Sequence, residues 1–264
     1  LSSSYNFRYD NLQPHTVQCT TLTVFGDSLT DDGIEVGENA NGFNRNSNGP
    51  VWAEYLNKLL GCEKYINYAH SGAKSDHDNV YFTGWSGILW QIETYLTTNP
   101  SVRSLIILQS GGVLDFLSGA TEAEDQAKVI ENIEKAIEKL STVTDGTIIV
   151  MNIMDPSLAP GVRTMDQSED LAEKLSHLVS TTNAKLWNSL YENVRDRPRI
   201  GLFDLNAAVL DSMKRMNKTT PFTHHRDQLT TRQVYSYAYH DLWNPSTFVH
   251  YNIALKLVNF LEDL

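Results

Sequence analysis

The first residue placed to do chemistry is a serine. Gly26-Asp27-Ser28-Leu29 follows directly on TLTVF (21–25), a short β-branched run that reads as a strand. A serine at a strand-to-turn junction stands at the rim of a sheet, and it becomes a nucleophile when a neighbouring base takes its proton. Asp27 and His70 are candidate pocket residues beside it. His70 stands at the end of a second strand, just before Gly72, where it could serve as that base or touch a ligand. His224-His225 lies in a loop-like stretch without the histidine or glutamate spacing of a metal site. Cys19 and Cys62 are too few for a four-cysteine zinc site or a disulfide-built mini-protein. Asn217-Lys218-Thr219 is the one glycosylation sequon, because Asn99 and Asn244 are both followed by proline.

These residues need a scaffold, and the chain alternates strand and helix. The strand-like runs are 21–25, 65–69, 104–109, 147–153 and 200–205. Between and after them, 50–60, 85–96, 121–141, 166–194 and 245–261 have helical periodicity, the last with Pro245 at its start. Continuous apolar strands alternating with helices predict an α/β fold of three layers, a five-stranded parallel sheet covered on both faces. Ligands in such sheets sit at the carboxyl ends of the strands. Each strand here ends in a polar, turn-forming stretch: GDSLTDDG, HSGAKS, SGGVLD, MDPSLAPG and DLN. Residues 1–19 read as an extended arm and 20–264 as a single domain, with no repeat and no Pro/Gly linker.

Composition narrows the function classes. The 264 residues carry 21 Lys+Arg against 32 Asp+Glu, a net charge of −11, which repels nucleic acid and anionic membranes. No apolar run approaches the 18 residues of a membrane span. The chain begins at Leu1 rather than Met, which reads as a processed or trimmed chain.

Four blocks, VFGDSLTDDG, NGPVWAEYL, NYAHSGAKS and DLWNPSTFVHYNIALKL, together with FDLNAAVLDSM, follow one another in a familiar order. Over roughly residues 20–262 the sequence resembles the GDSL, or SGNH, hydrolases, in their lipase/acyltransferase-like branch. The resemblance implies the SGNH hydrolase fold with a flavodoxin-like strand order, and acyl-ester hydrolysis or transfer without metal or organic cofactor. It implies an acyl ester, lipid or acylated glycan as ligand, and says nothing of a protein partner. By position, Ser28 matches the family nucleophile, and its N–H and Gly72 match two oxyanion donors. Asp241 matches the carboxylate that orients the base.

Two positions depart from the pattern. The family's Gly-x-Asn-Asp block falls on Gly112-Val113-Leu114-Asp115, so Leu114 stands where the oxyanion asparagine belongs. Its Asp-x-x-His block falls on Asp241-Leu242-Trp243-Asn244, so Asn244 stands at the catalytic histidine. An amide cannot be protonated near neutral pH and cannot take the Ser28 proton. Losing a triad base costs on the order of 10⁶ in turnover, and losing an oxyanion donor about 10²–10³. With Ser28 and Asp241 retained, the two losses read as natural divergence. The expected protein is a catalytically impaired hydrolase or pseudoenzyme. The alternatives are an active esterase or acyltransferase using a non-standard base such as His70, and a ligand-binding or protein-interaction module on the same fold. His240 stands on the wrong side of Asp241. His250 is about 240° around the terminal helix from Asn244 and resembles a non-catalytic family histidine. Trp243, beside Asn244 on a rim loop, is expected to line the site; Trp52, Tyr68, Trp85 and Trp90 are expected in the core.

In a flavodoxin-like order the first two strands are parallel neighbours. Cys19 and Cys62 each stand four residues before matching points of those strands, Thr23 and Ile66. Neighbouring strands lie about 4.8 Å apart, within disulfide reach, so a Cys19–Cys62 bridge is predicted away from the active rim. A bridge and a sequon at Asn217 favour a secreted or lumenal glycoprotein.

Overall fold

The structure is a computed structural model, and it describes residues 19–34, 45–98, 100, 103–194, 200–225 and 229–264. The predicted arm lies outside the described residues except for Cys19. Five strands, β1 (Thr21–Phe25), β2 (Lys64–Asn67), β3 (Ser104–Gln109), β4 (Ile148–Met151) and β5 (Ile200–Phe203), form one parallel sheet. Their order is β2-β1-β3-β4-β5, the flavodoxin-like arrangement. The helices are α1 (Trp52–Leu60), α2 (Ile88–Thr97), α3 (Val113–Leu117), α4 (Ala123–Ser141), α5 (Ser168–Val194), α6 (Leu205–Ser212), α7 (Thr231–Val234) and α8 (Thr247–Glu262).

Successive strand residues point to opposite faces, which builds the three layers. Leu22, Val24, Ile107 and Ile149 pack with Trp52, Leu56, Ile253 and Leu257 of α1 and α8 on one face. Phe25, Ile106, Leu108, Ile148 and Val150 pack with Ile92, Ile133 and Leu175 of α2, α4 and α5 on the other. A central sheet buried on both sides cannot alternate apolar with polar, hence the unbroken SLIILQ and TIIVM runs.

Strand lengths differ from the sequence reading at the carboxyl ends. β2, β4 and β5 stop at Asn67, Met151 and Phe203, and the residues assigned beyond them belong to rim loops, except that Asp204 caps α6 and Leu205 begins it. α8 starts at Thr247 behind Ser246, so Pro245 lies before the helix rather than in its first turn. α3, α6 and α7 lie outside the helices read from the sequence. α3 has only five residues, too few to show a period, and α6 is opened by Asp204, which accepts the Ala207 N–H at 2.9 Å.

The predicted bridge is present. Cys19 and Cys62 are disulfide-bonded with Cα atoms 4.6 Å apart, and Thr23 pairs with Ile66 in the register that aligns them. No helix among the described residues is long and apolar enough to cross a membrane.

Candidate active site

The β1 turn is held from beneath by two buried glutamines. The Gln109 side chain accepts the Asp27 N–H at 2.9 Å and the Thr30 hydroxyl at 3.0 Å, and donates to the Asp27 carboxylate at 2.9 Å. Gln91 accepts the Gly26 N–H at 3.1 Å and returns a bond to the Gly26 carbonyl at 2.9 Å. Asp27 also accepts the Leu29 N–H at 2.9 Å. Asp27 therefore points inward, and burial raises its pKa against those hydrogen bonds. It works as a brace for the turn, and Ser28 is left at the surface of a cleft. Gly26 fits because any Cβ there would collide with Gln109 and Thr30.

The Gly72 loop is braced in the same way. The buried Asp31 carboxylate accepts the Ser71 N–H at 2.7 Å and the Ser71 hydroxyl at 2.8 Å. Its pKa too is raised by burial. Gly72 follows at φ +90°, and a Cβ there would lie 2.5 Å from Asn79 Oδ1, so both conformation and space require glycine. Asn79 donates to the Ser71 carbonyl at 2.9 Å. Among the described residues no protein atom accepts the Ser28 or Gly72 N–H.

At the β3 end, Gly112 at φ +84° turns the chain into α3. Asp115 accepts the Ser75 N–H and hydroxyl, both at 2.9 Å, which ties α3 to the Gly72 loop. Leu114 is thereby presented to the cleft with no donor to offer.

The loop carrying Asp241 is a compact turn. The Asp241 carboxylate accepts the Trp243 N–H at 2.8 Å and the Asn244 N–H at 2.7 Å. The Asn244 side-chain amide donates to both carboxylate oxygens, at 3.1 and 3.0 Å. Asn244 thus makes the hydrogen bond that an imidazole N–H would make, and has no basic nitrogen to offer beyond it. The loop docks on the chain after β4, where Gly161 donates to the Leu242 carbonyl at 2.8 Å and lies against the Trp243 ring, leaving no room for a Cβ.

One cleft of about 340 Å³ joins these parts. Ser28, Gly72, Leu114, Trp243 and Asn244 all line it, as do Asp27 and Gln109. The rest of the wall is chiefly apolar, with Val80, Tyr81, Val113, Leu117, Met154 and Met165.

The histidines lie elsewhere. His70, expected in the pocket, is not among the lining residues; its ring packs with Trp85 at 5.3 Å and Trp90 at 5.9 Å. His240 stacks on Phe222, and burial lowers its pKa. His250 is fully buried, and its Nδ1 accepts the Trp52 N–H at 3.2 Å, one of the orphan donors that opens α1. His224 and His225 lie on a one-turn helix at the surface, and no cluster of metal-binding side chains occurs among the described residues. Asn217 is exposed, its Oδ1 accepting the Thr219 hydroxyl at 2.9 Å.

Sequence reasoning overlooked Gln91, Gln109, Asp31, Asn79 and the Ser75–Asp115 tie. Gln109 carried a signal, since a polar side chain closing a buried apolar strand must find partners. Gln91, Asp31 and the Ser75–Asp115 tie make long-range pairings that no local pattern announces, and Asn79 braces its own loop by reaching back to Ser71.

The sequence profile of the GDSL-like lipase/acylhydrolases matches residues 22–256. No curated protein matches. Among solved structures, a lipolytic G-D-S-L family protein from Veillonella parvula is 18% identical with a TM-score of 0.57, covering 90% of this chain and 96% of its own. An inhibitor-bound aryl esterase of M. smegmatis is 14% identical with a TM-score of 0.54, covering 93% and 100%. Axe2, an acetylxylan esterase from Geobacillus stearothermophilus, is 14% identical with a TM-score of 0.51, covering 92% and 94%. At these identities they establish the shared SGNH hydrolase fold.

Proposed function

The chain belongs to the GDSL-like lipase/acylhydrolase family, and from that premise we propose that it binds acyl esters in the Ser28 cleft but hydrolyses them weakly or not at all. The observation that carries this reading is the Asp241–Asn244 pair. The carboxylate that would orient a catalytic imidazole is saturated by an amide, and no histidine lines the cleft among the described residues. Without a base, Ser28 is an ordinary hydroxyl.

The cleft is open, its volume is at the lower end of the roughly 300–1,000 Å³ of small-molecule sites, and its wall is apolar. An ester carbonyl lying on Ser28 would meet two backbone donors, the Ser28 and Gly72 N–H groups, in place of the family's three. An open cleft favours this over an interaction module with a filled site, and the position of His70 speaks against its use as base. The disulfide favours an oxidising compartment, hence a secreted or lumenal protein.

A fluorophosphonate that reports nucleophilic serines is the test. The native chain is expected to stay unlabelled, while Asn244→His combined with Leu114→Asn is labelled, and Ser28→Ala abolishes the label in that background. Ser28-dependent turnover of a short nitrophenyl ester by the native chain, at on the order of hundreds per second, would overturn the reading.

A further inference from the structure

Val80, Tyr81 and Met165 line the cleft, yet they are 44%, 70% and 43% exposed. Large apolar groups gathered at a cleft mouth mark a binding surface more often than chance exposure. Their backbone is not loose. Asn79 N–H donates to the Phe82 carbonyl at 2.7 Å, and Phe82 N–H returns a bond to Asn79 at 3.1 Å. Tyr81 N–H donates to Asn79 Oδ1 at 3.0 Å, and Val80 N–H to the Gly72 carbonyl at 2.8 Å. Folding therefore fixes a tight turn that holds a valine and a tyrosine out at the rim.

The same turn is anchored on Gly72. Its N–H is one of the two donors toward a bound carbonyl, and its carbonyl holds Val80. The carbonyl site and the apolar lip thus form one unit at a set separation. Leu114, Leu117, Val80, Tyr81 and Met165 line the same cleft as Ser28.

We propose that Tyr81, Val80 and Met165 form an acyl-chain lip that makes the cleft selective for esters with a long apolar acyl group over acetyl esters. The inference rests on the acyl-ester reading of the cleft. A tyrosine suits the lip, since its ring face covers a methylene chain while its hydroxyl stays in water. A methionine suits it because the flexible thioether follows chains of different shape. An acetyl group, held at the Ser28 end, would touch neither.

Methyl ketones present an ester-like carbonyl without a leaving group, so they probe the native chain directly. Calorimetric titration with propan-2-one, hexan-2-one and decan-2-one is expected to show affinity rising up to about fourfold per added methylene until the lip is covered. Tyr81→Ser with Met165→Ser should weaken decan-2-one about tenfold and leave propan-2-one unchanged. Decan-2-one should also slow fluorophosphonate labelling of the Asn244→His, Leu114→Asn variant, which fixes its place at Ser28. Affinity that ignores chain length, with labelling still slowed, would overturn the lip and spare the acyl-ester reading. Failure of every ketone to bind would overturn both. Attachment to phosphatidylcholine vesicles without affinity for monomeric ketone would overturn the lip in favour of a surface-docking patch.

Discussion

Asp241 accepts four hydrogen bonds from the two residues that follow its neighbour Leu242, two of them from the Asn244 amide. An amide and an imidazole can both present an N–H to a carboxylate, so the loop keeps its shape while its chemistry changes. Asn244→His alone should therefore fold normally and regain part of the fluorophosphonate reactivity, and Leu114→Asn alone should regain none, because a donor without a base has no nucleophile to serve. Gly72→Ala is a different kind of change. It forces a Cβ against Asn79 at a φ of +90°, which should cost about 1–3 kcal/mol, read as a lower urea midpoint. Asn217 belongs at this scale as well. Secretion from a eukaryotic host should give a chain whose mass falls on glycosidase treatment, and Asn217→Gln should remove that difference.

At the scale of elements, the site is assembled from the ends of β1, β2 and β3 and from the loop before α8. Parallel strands deliver their carboxyl ends to one edge, so Ser28, Gly72 and Leu114 converge although 86 positions separate the first from the last. Gln109 joins two of these ends, reaching from β3 to the β1 turn. Gln109→Leu would leave the Asp27 carboxylate and N–H without their buried partner. Its expected cost is about 1–3 kcal/mol, with loss of the restored reactivity in the Asn244→His, Leu114→Asn background. The opposite edge carries the Cys19–Cys62 bridge, which closes a segment 43 residues long. Replacing both cysteines by serine should lower stability by about 2–4 kcal/mol, measured by urea unfolding, without altering ketone binding at the far rim.

For the molecule as a whole, His250 is one of the groups that make stability depend on pH. Burial keeps it neutral, with its pKa pushed down to about 3, whereas an unfolded histidine titrates near 6.5. Between those values the unfolded chain binds a proton that the folded chain refuses, so this group makes stability fall as pH drops from about 6.5 toward 3. Asp27, Asp31 and Asp115, raised by burial, act in the opposite sense: their contribution is present below the unfolded carboxylate pKa and is lost as pH rises through their folded values. His250→Gln should flatten the urea midpoint between pH 6.5 and 4 relative to the native chain. The sequence alone determined the alternation of strand and helix, the parallel sheet, the pairing of Cys19 with Cys62, the family, and the place of Asn244 three residues after Asp241. Periodicity and short motifs record these things because each depends on residues near one another in the chain or on strands in a known order. Only the tertiary structure decided that His70 is packed among tryptophans, that Asn244 is locked onto Asp241, and that Asp27 is a buried brace. It also decided that the Val80–Tyr81 turn hangs on Gly72 at the mouth of the cleft. Those outcomes depend on which side chains meet across the sheet edge, and packing and hydrogen-bond satisfaction select those meetings only once the chain has folded.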